Sequence, residues 1–327
     1  MAYWFLGGGL VLLLFGSEAA VRGGVAMARA LNIPALVIGL LVVTAGTSAP
    51  EFAVSLQAAS AGSPDIAIAN VVGSNILNLL LILGLAALIR PLPSPPKVVF
   101  RDGGAMLLSA VALAIMALTG GVTRFEGIAM LAAFALYLVV TFVSDWRRSA
   151  EHSVPCARAL QRLQGDTTSG TAGLFVFLFG LVGVTVGAHF AVSGALAVAR
   201  EFHLSEAMVG LTVVAFGASI PELFVTLVAA VRGHTQIAIG HLIGSNVFNT
   251  FGAIGVTAAL FPLHVDKTLG VDLLAMAAAS ALLLPLLATR WRLTRPRGAL
   301  LLLSYACYLV FLAWRQGWVV PSMIGMG

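Results

Sequence analysis

The segments Gly46-Thr47-Ser48-Ala49-Pro50-Glu51 and Gly217-Ala218-Ser219-Ile220-Pro221-Glu222 each end in a glutamate, and both are embedded in runs such as LVIGLLVV that suit lipid. An ionisable side chain at mid-membrane depth costs roughly 2.5 to 3.5 kcal/mol on insertion scales, so such residues line pathways or sites. Ser48 and Ser219 stand three residues before the acids, which places hydroxyl and carboxylate on one helical face. Each motif is followed by a GSNxxN run, GSNILN at 73–78 and GSNVFN at 244–249. There, Asn70, Ser74 and Asn78 recur at i, i+4 and i+8, as do His241, Ser245 and Asn249, giving each helix one polar stripe. The donors are carboxylate, hydroxyl, amide and bare carbonyl oxygens, with no thiol and no obligatory imidazole. Such a set selects a hard cation. Calcium accepts about six to eight oxygens in loose geometry, whereas magnesium holds to an octahedron and keeps its waters.

The elements that must position these residues are transmembrane helices. Of 327 residues, 60% are hydrophobic and 9% charged, with a mean hydropathy of +1.02. Strand-like alternation is absent and long apolar runs recur, so closed helices satisfy the backbone. Ten spans are expected, near 3–28, 33–60, 64–89, 103–120, 124–146, 171–199, 204–231, 235–260, 266–289 and 298–320. The polar stretch at 147–170 is too short for a folded domain and reads as a cytoplasmic linker. A cleaved leader is not expected, because a basic n-region is lacking and the first apolar run can span. With alternating loops, only Arg124, Arg200, Lys267 and Arg315 of the 18 cations fall on one side, leaving fourteen on the other. The positive-inside rule then puts both termini outside the cytoplasm, in a multi-pass protein of the plasma (inner) membrane. The net charge of +5 thus reflects topology rather than nucleic-acid binding. Cys156 and Cys307 form no disulfide or metal pattern.

The two motifs are displaced by 171 residues without a gap. Residues 39–78 and 210–249 share 20 identities in 40 positions, including both glutamates, both prolines and the whole GSN triplet. Five spans lie in each half, an odd number, so the second half enters the membrane from the opposite face. The fold class is an all-α polytopic membrane protein of ten helices arranged as two inverted five-helix repeats, 1–146 and 171–327. Secondary transporters use this design, with a midplane site between repeats built from discontinuous helices. Pro50 and Pro221 remove backbone donors, and Gly46 and Gly217 loosen the same stretches. Carbonyls freed around Thr47 and Ala218 would point inward.

The paired GTSAPE/GASIPE and GSNxxN segments resemble the α-repeats of the sodium/calcium exchanger family, prokaryotic type, within the cation/calcium antiporter superfamily. The resemblance covers nearly the whole chain. It implies that Glu51 and Glu222 are the central calcium ligands, assisted by the carbonyls of Thr47 and Ala218. It implies that Ser48, Ser219, Ser74 and Ser245, with the carbonyls of Thr44 and Ala215, serve sodium, and that Asn78 and Asn249 line the centre. It also implies that the first helix of each half slides past the core to alternate access. The chain departs from the pattern where many members carry an acid, here Asn249, and a threonine, here Ala218.

The function expected is therefore antiport of Ca2+ against Na+ through one shared oxygen-lined site. A cation/H+ antiporter on the same fold is the alternative, since Asn249 removes a third carboxyl. No cofactor is expected; the ions and the bilayer are the partners. An intramembrane hydrolase lacks a nucleophile motif or a histidine pair for a metal, and a channel has no need of inverted repeats. Asn75 and Asn246 point away from the stripes and read as interhelical hydrogen-bonding residues. Glu18 faces a cytoplasmic vestibule or pairs with Arg22, and His189 occupies the matching place in the second half.

Overall fold

The computed structural model describes residues 2–31, 37–152, 170–201, 217–265 and 269–315. Apolar runs of 21 to 28 residues, at 1.5 Å rise each, match a hydrocarbon core of about 30 Å. Among the described residues, eight helices are long and apolar enough to cross a membrane, or nine if one bent pair is counted as a span. That pair is Ile38–Thr47 and Ala49–Ser60, which meet at 48°. A further apolar helix, Ile220–Val231, is shorter, and residues 202–216, which the sequence reading places mostly in its span, lie outside the described set.

In chain order the α-helices are α1 (Ala2–Ala30), α2 (Thr44–Thr47), α3 (Ala49–Ser60), α4 (Pro64–Ile76), α5 (Leu83–Ile89), α6 (Gly104–Leu118) and α7 (Arg124–His152). The second half contributes α8 (Gly170–Glu201), α9 (Ile220–Val231), α10 (Thr235–Val247), α11 (Gly255–Leu260), α12 (Gly270–Ala288) and α13 (Arg295–Arg315). Wider π-helical turns, Leu77–Ile82 and Phe248–Ile254, join α4 to α5 and α10 to α11. α7 runs on to His152, into the stretch read as linker.

The break at the first motif has a local cause. Pro50 occupies the first turn of α3, where its missing N–H costs least, so the chain stops at Thr47, turns at Ser48 (φ −85°, ψ 5°) and restarts. Ser219 adopts nearly the same conformation (φ −90°, ψ 6°) before Pro221.

Other features recur at the same spacing. Two short antiparallel ladders pair β1 (Leu92–Pro93) with β4 (Arg292–Leu293) and β2 (Gly121–Val122) with β3 (Leu263–His264). A shift of 171 residues exchanges one ladder for the other. Glycines meet in matching pairs as well: Gly84 against the Gly298 carbonyl and Gly127 against that of Gly255. Tyr137 donates to Asp102 (3.3 Å) and Tyr308 to Asp272 (3.0 Å), tying the Val98–Gly103 turn before α6 to α7, and α12 to α13.

The ladders also sort the chain ends of the helices. Arg295 reaches the Leu88 and Ile89 carbonyls, Arg90 packs over Gly233, and Glu18 bridges Arg22 and Arg232, so these cations share one end. Arg124, by contrast, binds the Leu260 carbonyl beside the β2–β3 ladder. The most apolar window of Thr235–Leu260 is 94% buried and that of Pro64–Ile89 72%, against 17% for Arg295–Arg315. The two GSNxxN helices therefore form the centre, and the outer helices face lipid.

Candidate functional site

The broken helices bring both glutamates to the centre. Glu51 and Glu222 are fully buried, and their carboxyl groups lie close enough to interact. Each is held by the other half's serine: Ser48 Oγ donates to Glu222 Oε1 (2.9 Å), and Ser219 Oγ donates to Glu51 Oε1 (3.2 Å). The i, i+3 spacing placed each serine beside its own glutamate; the helix crossing instead makes the hydrogen bond between halves. This exchange occupies one oxygen per carboxyl and leaves Glu51 Oε2 and Glu222 Oε2 buried without a hydrogen-bond partner.

The asparagines follow the same logic. Asn78 Nδ2 donates to Asn246 Oδ1 (3.1 Å), and Asn249 Nδ2 donates to Asn75 Oδ1 (3.3 Å). Asn75 in turn donates to Thr250 Oγ1 (2.8 Å), and Asn246 donates to the Asn75 carbonyl (3.4 Å). The amide donors of Asn78 and Asn249 are thus used between helices, while their Oδ1 atoms stay buried and unpartnered. Asn75 and Asn246 make the interhelical bonds expected of them, and through those bonds they orient two carbonyl oxygens, a role the sequence did not disclose. The helix bearing Glu51 packs on the Phe248–Ile254 segment that carries Asn249, and the helix bearing Glu222 packs on the Leu77–Ile82 segment that carries Asn78.

Four acceptor oxygens, from two acids and two amides, are therefore buried with their lone pairs unused. Buried polar atoms almost always find partners, and a carboxylate without one costs several kcal/mol. A bound cation would supply that missing partner. Among the described residues no cluster of three or more His, Cys, Asp and Glu side chains exists. The charge is thus two carboxylates and the remaining donors are neutral oxygens, which fits a hard divalent ion or its monovalent competitors.

The other residues singled out in the sequence fall around this centre. Thr44 is buried and donates toward the carbonyls of Gly39 and His241, both at 3.0 Å. Thr47 is buried, with Oγ1 3.1 Å from the Val43 carbonyl. Ser74 and Ser245 are buried on α4 and α10, and Ser245 Oγ has no partner. Ala218 sits in the turn before Ser219, while Ala215 lies outside the described residues. Asn70 donates to the Glu51 carbonyl (3.1 Å) and Ser55 Oγ (3.0 Å), buttressing the site from behind. Glu18 pairs with Arg22, as its spacing suggests, and also with Arg232, 214 residues away. His189 is exposed beside Phe190.

The family model described as "Sodium/calcium exchanger protein" matches residues 1–143 and 172–314. The sodium/calcium exchanger MaX1 of Methanosarcina acetivorans is 31% identical over 342 residues, covering 93% of this chain and 96% of its own. The inner membrane protein YrbG of Escherichia coli is 35% identical over 260 residues, 79% of each. The solved sodium-calcium exchanger NCX_Mj, soaked with zero Na+ and Ca2+, superposes with a TM-score of 0.81 at 31% identity, covering 94% of this chain and 98% of that one. MaX1 and NCX_Mj are exchangers rather than enzymes, and this multi-pass membrane protein belongs to the sodium/calcium exchanger family.

Proposed function

We propose that this cation antiporter exchanges Ca2+ for Na+ by alternating access at the site between Glu51 and Glu222. In this reading ten spans form two inverted five-helix repeats, 1–146 and 171–327, joined by a cytoplasmic linker at 147–170. The protein resides in the inner membrane with both termini outside the cytoplasm, as its cation distribution suggests.

The observation that carries the reading is the set of unpartnered buried oxygens, Glu51 Oε2, Glu222 Oε2, Asn78 Oδ1 and Asn249 Oδ1. Two carboxylates balance one Ca2+, and the amide oxygens complete an electrically neutral cage. Thr47 and Ala218 add carbonyls to the calcium position. Ser48, Ser219, Ser74 and Ser245, with the carbonyls of Thr44 and Ala215, serve sodium. Because both ions draw on the same two acids, sodium entry displaces calcium, and a site that empties of one ion only when the other is available couples the two gradients.

The test is radiocalcium uptake into vesicles under imposed sodium, potassium and pH gradients, one at a time. Uptake is expected to follow the sodium gradient and to fall at least about 100-fold in Glu51→Gln and in Glu222→Gln, since each removes half the charge that holds the ion. Persistent sodium-driven flux in either variant refutes the assignment. A second reading, cation/H+ antiport, is favoured by the neutral Asn249, which leaves only two acids in the described site. Uptake insensitive to sodium but abolished by collapsing the pH gradient selects it.

A further inference from the structure

We propose that His241 is a positioning residue of the transport site, an imidazole that pins Thr47, and with it one wall of the oxygen cage, to the opposite half of the molecule. The inference rests on the site assignment above. His241 is fully buried at the middle of α10. Its Nε2 lies 2.7 Å from Thr47 Oγ1 and its Nδ1 lies 3.0 Å from Thr226 Oγ1. Thr47 comes from the break in the first half, while Thr226 and His241 come from the second. Thr47 Oγ1 also has the Val43 carbonyl at 3.1 Å. One arrangement uses every donor once: Thr47 donates to Val43, His241 Nε2–H donates to Thr47, and Thr226 donates to Nδ1.

The backbone reinforces this contact. A methyl group added at Gly39 would stand 2.7 Å from the Ile237 carbonyl, and one at Gly244 would stand 2.6 Å from the Leu40 carbonyl. Glycine at both places lets α10 approach the Ile38–Val43 turn closely enough for Thr44 Oγ1 to reach the His241 carbonyl. His241 therefore engages both threonines of the broken segment, Thr44 through its main chain and Thr47 through its ring.

The corresponding place in the first half is built differently. Asn70 replaces His241 and bonds within its own half, to the Glu51 carbonyl and Ser55. Ala218 replaces Thr47 and offers no hydroxyl to hold. The latch is one-sided, so the Thr47 wall of the cage is fixed by the opposite half while the Ala218 wall has no matching side-chain tie. A buried imidazole satisfied by two hydroxyls also has a structural reading, in which it merely fills the core; the two readings differ in what a shorter amide does.

The experiment compares His241→Gln with His241→Asn, reading Ca2+ affinity by calorimetry and sodium-driven uptake in vesicles. Glutamine reaches the Nε2 position and the Thr47 hydroxyl; asparagine reaches only the Nδ1 position and Thr226. Asparagine is expected to lower Ca2+ affinity about tenfold with maximal uptake within about threefold of wild type, and glutamine to recover most of the affinity. Thr47→Val, which removes the hydroxyl and keeps the carbonyl, should reproduce the asparagine defect, and His241→Asn with Thr47→Val should be no worse than either alone. Wild-type affinity in His241→Asn, equal defects in the asparagine and glutamine variants, or additive losses in the double variant overturns the inference. If His241→Asn does not fold, Thr47→Val alone decides: undiminished affinity there also overturns it. Wild-type vesicles without sodium-driven uptake would instead refute the proposed function, which separates the two failures.

Discussion

Two helix seams run through this molecule, and they are made of opposite materials. α1 and α8 meet along glycine: Gly9 faces Gly187 and Ala191, Gly16 faces Gly180 and Val184, and Gly23 faces Gly173 and Phe177. α4 and α10, with the turns that follow them, meet along asparagine, through Asn75, Asn78, Asn246 and Asn249. Small residues let backbones approach and contribute undirected contact, so such a surface tolerates displacement against its other neighbours. Amide pairs are directional, and shifting one by an ångström leaves donors unpaired in a low-dielectric interior. If the proposed site and alternating access hold, the contrast gives rigidity to the asparagine seam and makes the glycine-seamed pair the part that would move as one body. The pair's exposed flank points the same way: the most apolar windows of Tyr3–Ala30 and Thr171–Gly194 are each 33% buried, against 94% for that of Thr235–Leu260.

Thickening the glycine seam is expected to have the largest effect. A methyl at Gly16 would stand 2.7 Å from the Val184 nitrogen and 3.0 Å from the Gly180 carbonyl. Gly16→Leu is therefore expected to force α1 from α8 and reduce sodium-driven uptake at least about 100-fold, while Ca2+ affinity measured by calorimetry stays within about threefold, because the cage lies in the other seam. Equal losses of binding and transport would show that the two seams are not separable.

The asparagine seam should respond in the reverse sense. Asn75→Leu removes the acceptor that holds Asn249 Nδ2 and frees that amide to turn its donor toward the cage. Ca2+ affinity is expected to fall about 30-fold, on the scale of one unsatisfied buried amide, with the loss appearing in binding before maximal rate. An unchanged affinity would mean that the amide orientation does not matter to the site.

The smallest effect belongs to a surface link from the glycine seam to α9. Glu18 on α1 bridges Arg232 at the end of α9, a contact between the proposed moving pair and the core. Exposed pairs of this kind are worth about 0 to 1 kcal/mol and are screened by salt. Glu18→Gln should change the uptake rate by no more than about fivefold at low ionic strength and less in salt. A larger, salt-independent change would promote this bridge from trim to gate.

Much of the site was legible because its chemistry is local. An acid in lipid, a proline that stops a helix and a GSNxxN run are each readable from a few residues, and their recurrence 171 positions later makes chance an inadequate account. The off-stripe placement of Asn75 and Asn246 correctly marked them as interhelical. What the spacing could not show was the partner of each serine. Ser48 shares a face with Glu51 in sequence yet donates to Glu222, because helix crossing, not helical periodicity, decides which carboxylate is within 3 Å. The ties of Asp102 to Tyr137 and Asp272 to Tyr308 were missed for a related reason. The aspartates repeat at 170 residues and the tyrosines at 171, so a slip of one residue hides the correspondence.

The solvent, the repeated break and the types of oxygen available follow from the residues alone, since hydropathy, proline geometry and ligand hardness are properties of residues and short segments. Which oxygens are spent on hydrogen bonds between halves, and which are left over, is set by how the helices cross. That division depends on distances between atoms far apart in the chain, and it is the leftover lone pairs, not the residue types, that a cation can use.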